Sequence, residues 1–135
     1  ENLWTFTENP VLGHITTFGG NPVCCAASLA MFETIDQESL ISTILKKEAL
    51  FSKLLKHPKI NAFNHAGLLM AIHFETAEFN QKVIQRCIEK GLITDWFLFA
   101  PNALRIAPPL IINDKEIILI CDIILESINE IDSFV

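Results

Sequence analysis

Gly67-Leu68-Leu69-Met70-Ala71-Ile72-His73-Phe74-Glu75-Thr76 is the stretch whose reading decides the fold class, because an apolar run of strand length ends on a residue suited to start a helix. Downstream of Thr76, the apolar residues Phe79, Val83, Ile84, Cys87 and Ile88 recur every three to four positions. Gly91 follows where a left-handed C-cap belongs, so a helix is expected between them. Upstream, a weaker strand around Ile60 to Phe63 is expected to pair with Gly67 to Glu75 as a hairpin turning through Asn64-His65-Ala66. Two further short strands, Trp96 to Phe99 and Ala103 to Ala107, are read around the turn dipeptide Pro101-Asn102, and Pro108-Pro109 ends the second.

The flanks supply helices. Asn113 with Glu116 three residues on reads as a capping box, opening a final amphipathic helix with Ile117, Cys121, Ile124, Leu125, Ile128 and Ile131 on one face. Asp36 is expected to cap a helix running to about Lys56, with Leu40, Ile41, Ile44, Leu45, Phe51, Leu54 and Leu55 on its apolar stripe. Before it, Asn21 is a good N-cap and Pro22 suits the first helical position. The almost wholly apolar or small run Val23 to Ile35 then predicts a helix buried on most sides. Glu1 to Gly20 shows no sustained period and reads as connecting segment and turns. Helix, helix, strand pair, helix, strand pair, helix predicts an α+β domain, a small antiparallel sheet with helices packed on one side.

The chain has 135 residues, one domain's length, with half of them hydrophobic and a formal net charge of −6. An acidic total with no basic cluster beyond Lys46-Lys47 argues against a nucleic-acid backbone or an anionic membrane surface as partner. No apolar run approaches the roughly 18 to 20 residues that span a bilayer. The chain begins at Glu1 with no basic-then-apolar leader, which reads as a cut inside a longer chain. Cys24, Cys25, Cys87 and Cys121 show no metal-ligand spacing and read as buried small hydrophobes in a reducing cytoplasm. His14, His57, His65 and His73 have no spacing that would make a metal site, and structural roles are expected of them.

Two places could carry chemistry. Thr16-Thr17-Phe18-Gly19-Gly20-Asn21-Pro22 sets two hydroxyls and two glycines before a helix N-terminus, where free N–H groups favour an anion such as phosphate; an ordinary Gly-rich turn and cap has the same appearance. The P-loop lysine is absent, so a nucleoside triphosphate is not indicated. Arg105 interrupts the apolar strand Ala103-Leu104-Arg105-Ile106-Ala107. A guanidinium there either holds a carboxylate ligand in bidentate fashion or faces outward to pair with a surface acid such as Asp95. Trp96 reads as core or interface packing.

Two segments together carry a resemblance: Gly13-His14-Ile15-Thr16-Thr17-Phe18-Gly19-Gly20-Asn21-Pro22, followed by Cys-Cys-Ala-Ala, and Asn102-Ala103-Leu104-Arg105-Ile106-Ala107-Pro108-Pro109-Leu110. They resemble the class III pyridoxal-phosphate aminotransferases of the ornithine and acetylornithine type, and Gly67 to Ile72 and Glu89 to Ile93 fall in the family's order. The resemblance implies a C-terminal small domain of a fold-type I enzyme over residues 22–135, with residues 1–21 as the tail of the large cofactor-binding domain and an interface loop. It implies pyridoxal 5'-phosphate as cofactor, with Thr17 reaching the phosphate of the neighbouring subunit's cofactor in a homodimer with shared active sites. It implies that Arg105 holds the α-carboxylate of the amino-acid or 2-oxo-acid substrate, with 2-oxoglutarate as one partner.

The family's Schiff-base lysine would lie upstream of Glu1, so no lysine of this chain is assigned as catalytic, and the isolated chain is expected to be inactive. The resemblance also shows a departure: Asn64-His65 stands where members usually carry Arg-Gly, so a structural arginine is lost. Two alternatives remain beside this reading. One is a non-enzymatic α+β module that uses Arg105 and the Gly-rich turn to bind a carboxylated ligand or a protein partner. The other is a related aminomutase, disfavoured because those relatives tend to carry Ser-Gly at Gly19-Gly20.

Overall fold

The computed structural model describes residues 17–132, which fall into two compact units divided between Glu38 and Ser39. In the first, helix α1 (Pro22–Gln37) opens as its sequence predicts: Asn21 Oδ1 accepts from the N–H groups of Val23 at 3.0 Å and Cys24 at 3.4 Å, and Pro22 occupies the first turn. The expectation that this helix is buried is overturned, since it has no buried residue and Val23, Leu29, Met31 and Phe32 are exposed. Cys24 and Cys25 are exposed with it, so the reading of all four cysteines as buried fails for these two. Apolarity all round a helix records what the sequence can bury; burial itself needs a neighbour. The predicted start of the next helix moves as well. Asp36 lies inside α1, and the break falls at Ser39, whose φ of +50° takes it out of the helical region.

The second unit begins with α2 (Leu40–Leu54), then β1 (Ala62–Ala66), β2 (Leu69–His73), α3 (Ala77–Glu89), β3 (Asp95–Phe97), β4 (Ala100–Ile106) and α4 (Asp114–Asp132). The four strands form one antiparallel sheet in the order β1-β2-β4-β3. The first hairpin is the one predicted, with a different turn. Asn64, His65 and Ala66 stay in β1, Ala66 pairs with Leu69, and the two-residue loop Gly67-Leu68 makes the reversal. Gly67 takes φ +61°, and a Cβ there would stand 3.0 Å from Ile44 Cγ2, so backbone freedom and close approach both select glycine.

The second hairpin also departs from expectation. Pro101 and Asn102 lie within β4 rather than in the turn, and the reversal passes through Leu98 and Phe99. The β3–β4 register shifts between Trp96, opposite Leu104, and Phe97, opposite Ala100. This irregularity accommodates a residue with no N–H. The backbone groups it frees are used elsewhere: Asn80 Nδ2 donates to the Pro101 carbonyl at 2.8 Å, and Phe74 N donates to that of Asn102 at 2.9 Å.

Helix ends follow the predicted chemistry. Thr76 Oγ1 accepts from Phe79 N at 3.1 Å, and Gly91 has φ +88° just past the end of α3. Asn113 Oδ1 accepts from Lys115 N and Glu116 N, while Asn113 N donates back to Glu116 Oε2 at 2.9 Å, completing the capping box.

Alternation then sorts the sheet's two faces. Met70, Ile72, Leu104 and Ile106 join Phe51 of α2, Val83 and Cys87 of α3, and Ile117, Cys121, Ile124 and Ile128 of α4 in one buried core. Ala71, Ala103 and Arg105 occupy the strand positions between these, on the face turned away from that core. α4 packs against both α2 and α3, and α3 crosses β4. At the surface Arg86 binds Glu130, and Lys90 reaches Glu126 and Glu130 at 2.9 Å, so these two cations hold the Glu130 carboxyl below the ordinary range.

Burial makes Cys87 and Cys121 poor nucleophiles. It pushes both thiols up, that of Cys121 to about 12, and a thiolate is the reactive form. Alkylation of the native protein at about pH 8 is expected to leave both unmodified. Denaturant should release them, and peptide mass mapping before and after its addition checks this.

Candidate functional site

Arg105 lies near the end of β4, with its Cα opposite that of Asp95 in β3 and that of Ala71 in β2. This register puts the guanidinium beside a carboxylate on the same sheet face. Arg105 Nε donates to Asp95 Oδ1 at 2.7 Å and Nη2 donates to Oδ2, a two-point pair with both side chains 44% exposed. Of the two expected geometries for Arg105, the structure takes the outward one, paired with Asp95. Its guanidinium is therefore half-exposed rather than enclosed among apolar side chains.

The strand around Arg105 is pinned by contacts that no local pattern announces. Thr94 Oγ1 donates to the Arg105 carbonyl at 2.6 Å, and Lys47 Nζ of α2 donates to the Leu110 carbonyl at 2.5 Å, beyond the double proline. The Lys47 contact joins residues 63 positions apart, so sequence reading had no signal for it. A cavity of about 220 Å³ opens beside Arg105, lined by Leu92, Thr94, Pro108, Pro109 and Ile120 among others. A second concavity of about 210 Å³ is lined by Ile93, Thr94, Asp95, Arg105 and Ala107. Arg105 is thus among the lining residues of both hollows, the first mainly apolar and the second shared with Asp95.

Thr17 lies in the other unit, at the start of the turn Thr17 to Gly20 that leads into α1. Phe18 O accepts from Asn21 N at 3.1 Å, and Gly20 takes φ +77° with open space where a Cβ would stand. The expectation that the helix N–H groups themselves hold an anion is corrected. Val23 N and Cys24 N already donate to the Asn21 side chain, Cys25 N donates to the Asn21 carbonyl, and Pro22 has no N–H. What the turn offers is the exposed Thr17 hydroxyl, which makes no hydrogen bond among the described residues. Thr16 and the rest of the motif's start, with His14, lie outside the described residues.

The other histidines have partners. His65 Nδ1 meets Glu48 Oε1 at 2.6 Å, and the same oxygen accepts from Gly67 N at 3.0 Å, so His65 and Glu48 brace the hairpin where the resemblance implies a missing arginine. His57 contacts Asn129 at 3.0 Å and His73 contacts Asn64 at 3.2 Å. Trp96 is 44% exposed on the edge strand and is not a core residue. No helix among the described residues is long and apolar enough to cross a membrane.

Residues 5–128 match the Aminotransferase class-III family. The chain belongs to that family. It is 33% identical to the acetylornithine aminotransferase of Haemophilus ducreyi, a similarity covering 77% of this chain and 26% of the relative. It is 32% identical to the adenosylmethionine-8-amino-7-oxononanoate aminotransferase of Methanocaldococcus jannaschii, over 96% of this chain and 31% of the relative. A Bacillus anthracis aminotransferase of known structure superposes with a TM-score of 0.78 at 29% identity, covering 89% of this chain and 31% of that one. The chain thus spans between about a quarter and a third of the length of these relatives. The α+β arrangement expected from the sequence is the one found, with four helices and a four-stranded antiparallel sheet among the described residues.

Proposed function

We propose that this chain is the C-terminal part of a pyridoxal-phosphate-dependent class III aminotransferase that moves an amino group between an amino acid such as ornithine or acetylornithine and 2-oxoglutarate. The observation that carries the reading is Arg105, half-exposed and lining two surface hollows, in a chain of this family. Residues 22–135 form the small domain and residues 1–21 the tail of the large domain in this reading, and the whole protein works in the cytoplasm. The residues present suit the cofactor's phosphate and the substrate's carboxylate: Thr17 is exposed with no hydrogen bond among the described residues, and Arg105 offers a planar donor edge. When bound, the cofactor supplies an electron sink for amino transfer. Thr17 donates a hydrogen bond to its phosphate in the neighbouring subunit, and Arg105 orients the amino acid by its α-carboxylate.

The test uses the full-length protein, with ornithine or acetylornithine as donor, 2-oxoglutarate as acceptor and glutamate as the measured product. Absence of glutamate formation with either donor would reject the substrate assignment. Thr17→Ala should speed loss of pyridoxal phosphate, since a hydrogen bond to a charged group contributes about 1.5 to 3 kcal/mol. Mixing Thr17→Ala with a variant lacking the upstream lysine should regain activity, because each hybrid dimer would hold one intact site and one doubly damaged site. No regain despite proven subunit exchange would place Thr17 outside the neighbour's site.

A further inference from the structure

We propose that Asp95 is a positioning residue for Arg105, holding the side edge of the guanidinium so that its end edge is presented to the carboxylate of a ligand. The inference rests on the reading of Arg105 as the carboxylate-binding residue and adds a second residue to that site.

A guanidinium has two edges on which a carboxylate can make parallel hydrogen bonds, the Nε–Nη2 edge and the Nη1–Nη2 edge. Asp95 takes the first: Nε donates to Oδ1 at 2.7 Å and Nη2 to Oδ2. Among the described residues nothing accepts from Nη1, so the second edge is open. An arginine on a strand surface has several rotatable bonds and would otherwise lose that freedom only when a ligand binds. Here the freedom is already restricted, because Asp95 and Arg105 are cross-strand partners and the neighbouring Thr94 hydroxyl ties the two strands at the Arg105 carbonyl, at 2.6 Å. Asp95 also lines the 210 Å³ concavity with Arg105, so the pair is at the site and not remote from it. Preorganisation of this kind favours binding of any ligand that presents a carboxylate to the open edge and is indifferent to ligands without one.

The alternative physical outcome is competition, in which the Asp95 carboxylate stands in the ligand's place and must leave. The two have opposite signs. Positioning means that removing Asp95 weakens binding of carboxylated ligands, and competition means that it strengthens binding.

The experiment compares Asp95→Ala, Asp95→Asn and Arg105→Lys in the full-length protein. The substrates are an α-amino acid and the amine left when its carboxylate is removed. In Asp95→Ala, KM for the amino acid should rise about 10-fold with kcat little changed, and KM for the amine should stay where it was. Asp95→Asn, which keeps the shape and one acceptor, should fall between wild type and Asp95→Ala. A fall in KM for the amino acid would overturn the proposal in favour of competition, and unchanged KM would overturn it in favour of a surface ion pair. Equal losses for both substrates in Asp95→Asn would overturn it in favour of a general lesion. If Arg105→Lys also spares the amino acid, the reading of Arg105 itself fails; if Arg105→Lys is selectively impaired and the Asp95 variants are not, only the role of Asp95 fails.

Discussion

Arg105→Lys in the full-length protein is expected to lower kcat/KM for an α-carboxylated amino acid by about 10- to 100-fold, corresponding to about 1.5 to 3 kcal/mol for hydrogen bonds between charged groups. Charge is kept in this variant, and the planar donor edge is not. An ammonium cannot reproduce two parallel N–H bonds to one carboxylate, nor can it hold Asp95 by one edge and a ligand by the other. The corresponding decarboxylated amine should be affected by no more than about twofold, since it presents nothing to that edge. A purely superficial Arg105–Asp95 pair predicts a different result: a stability change within about 0.5 kcal/mol and unaltered kinetics for both substrates. Steady-state kinetics on the two substrates, in wild type and variant, separates the cases.

Phe51→Ala is expected to destabilise the second unit by about 3 to 5 kcal/mol, the range for emptying an aromatic site in a packed interior. Phe51 is fully buried in the core shared by the sheet and the helices. Phe32→Ala in the same 135-residue chain should change stability by no more than about 0.5 kcal/mol, because Phe32 is 66% exposed on α1. Urea unfolding followed by circular dichroism measures both. A Phe51→Ala midpoint equal to that of wild type would contradict the packing described for the core, and a large effect of Phe32→Ala would contradict its exposure.

These two phenylalanines mark where sequence and tertiary structure part company. Each sits in an apolar helical pattern, and the pattern cannot tell which one has a neighbour to cover it. Local chemistry was legible at several helix ends, though not at the break at Ser39, where Asp36 is the expected cap. Asn21 with Pro22, Thr76 with Phe79, Gly91, and Asn113 with Glu116 all took their predicted capping roles, because donor and acceptor lie in the same turn of chain. The two hairpins were legible as pairings and not as turns. Gly67 could have been chosen over Asn64-His65-Ala66 from its capacity for positive φ, but the crowding by Ile44 that reinforces it comes from a distant helix. Pro101 misled for a similar reason: proline commonly marks a turn, and here a register shift and acceptance from Asn80 let it lie within a strand.

The candidate site divides in the same way. Arg105 and Asp95 were both visible as charged residues near apolar strands, and their pairing was one of two geometries the residues allowed. By itself, the sequence determined the class of the domain, all its predicted helix caps but that of Asp36, and the two motifs that resemble a class III aminotransferase, since these depend on residue order and short-range hydrogen bonding. Only the tertiary structure decided that Arg105 faces out with one edge held by Asp95, that the helix N–H groups beside Thr17 are already taken, and which cysteines are buried. Those outcomes depend on strand register and on contacts between residues far apart in the chain, where small differences in packing choose among arrangements the sequence permits equally.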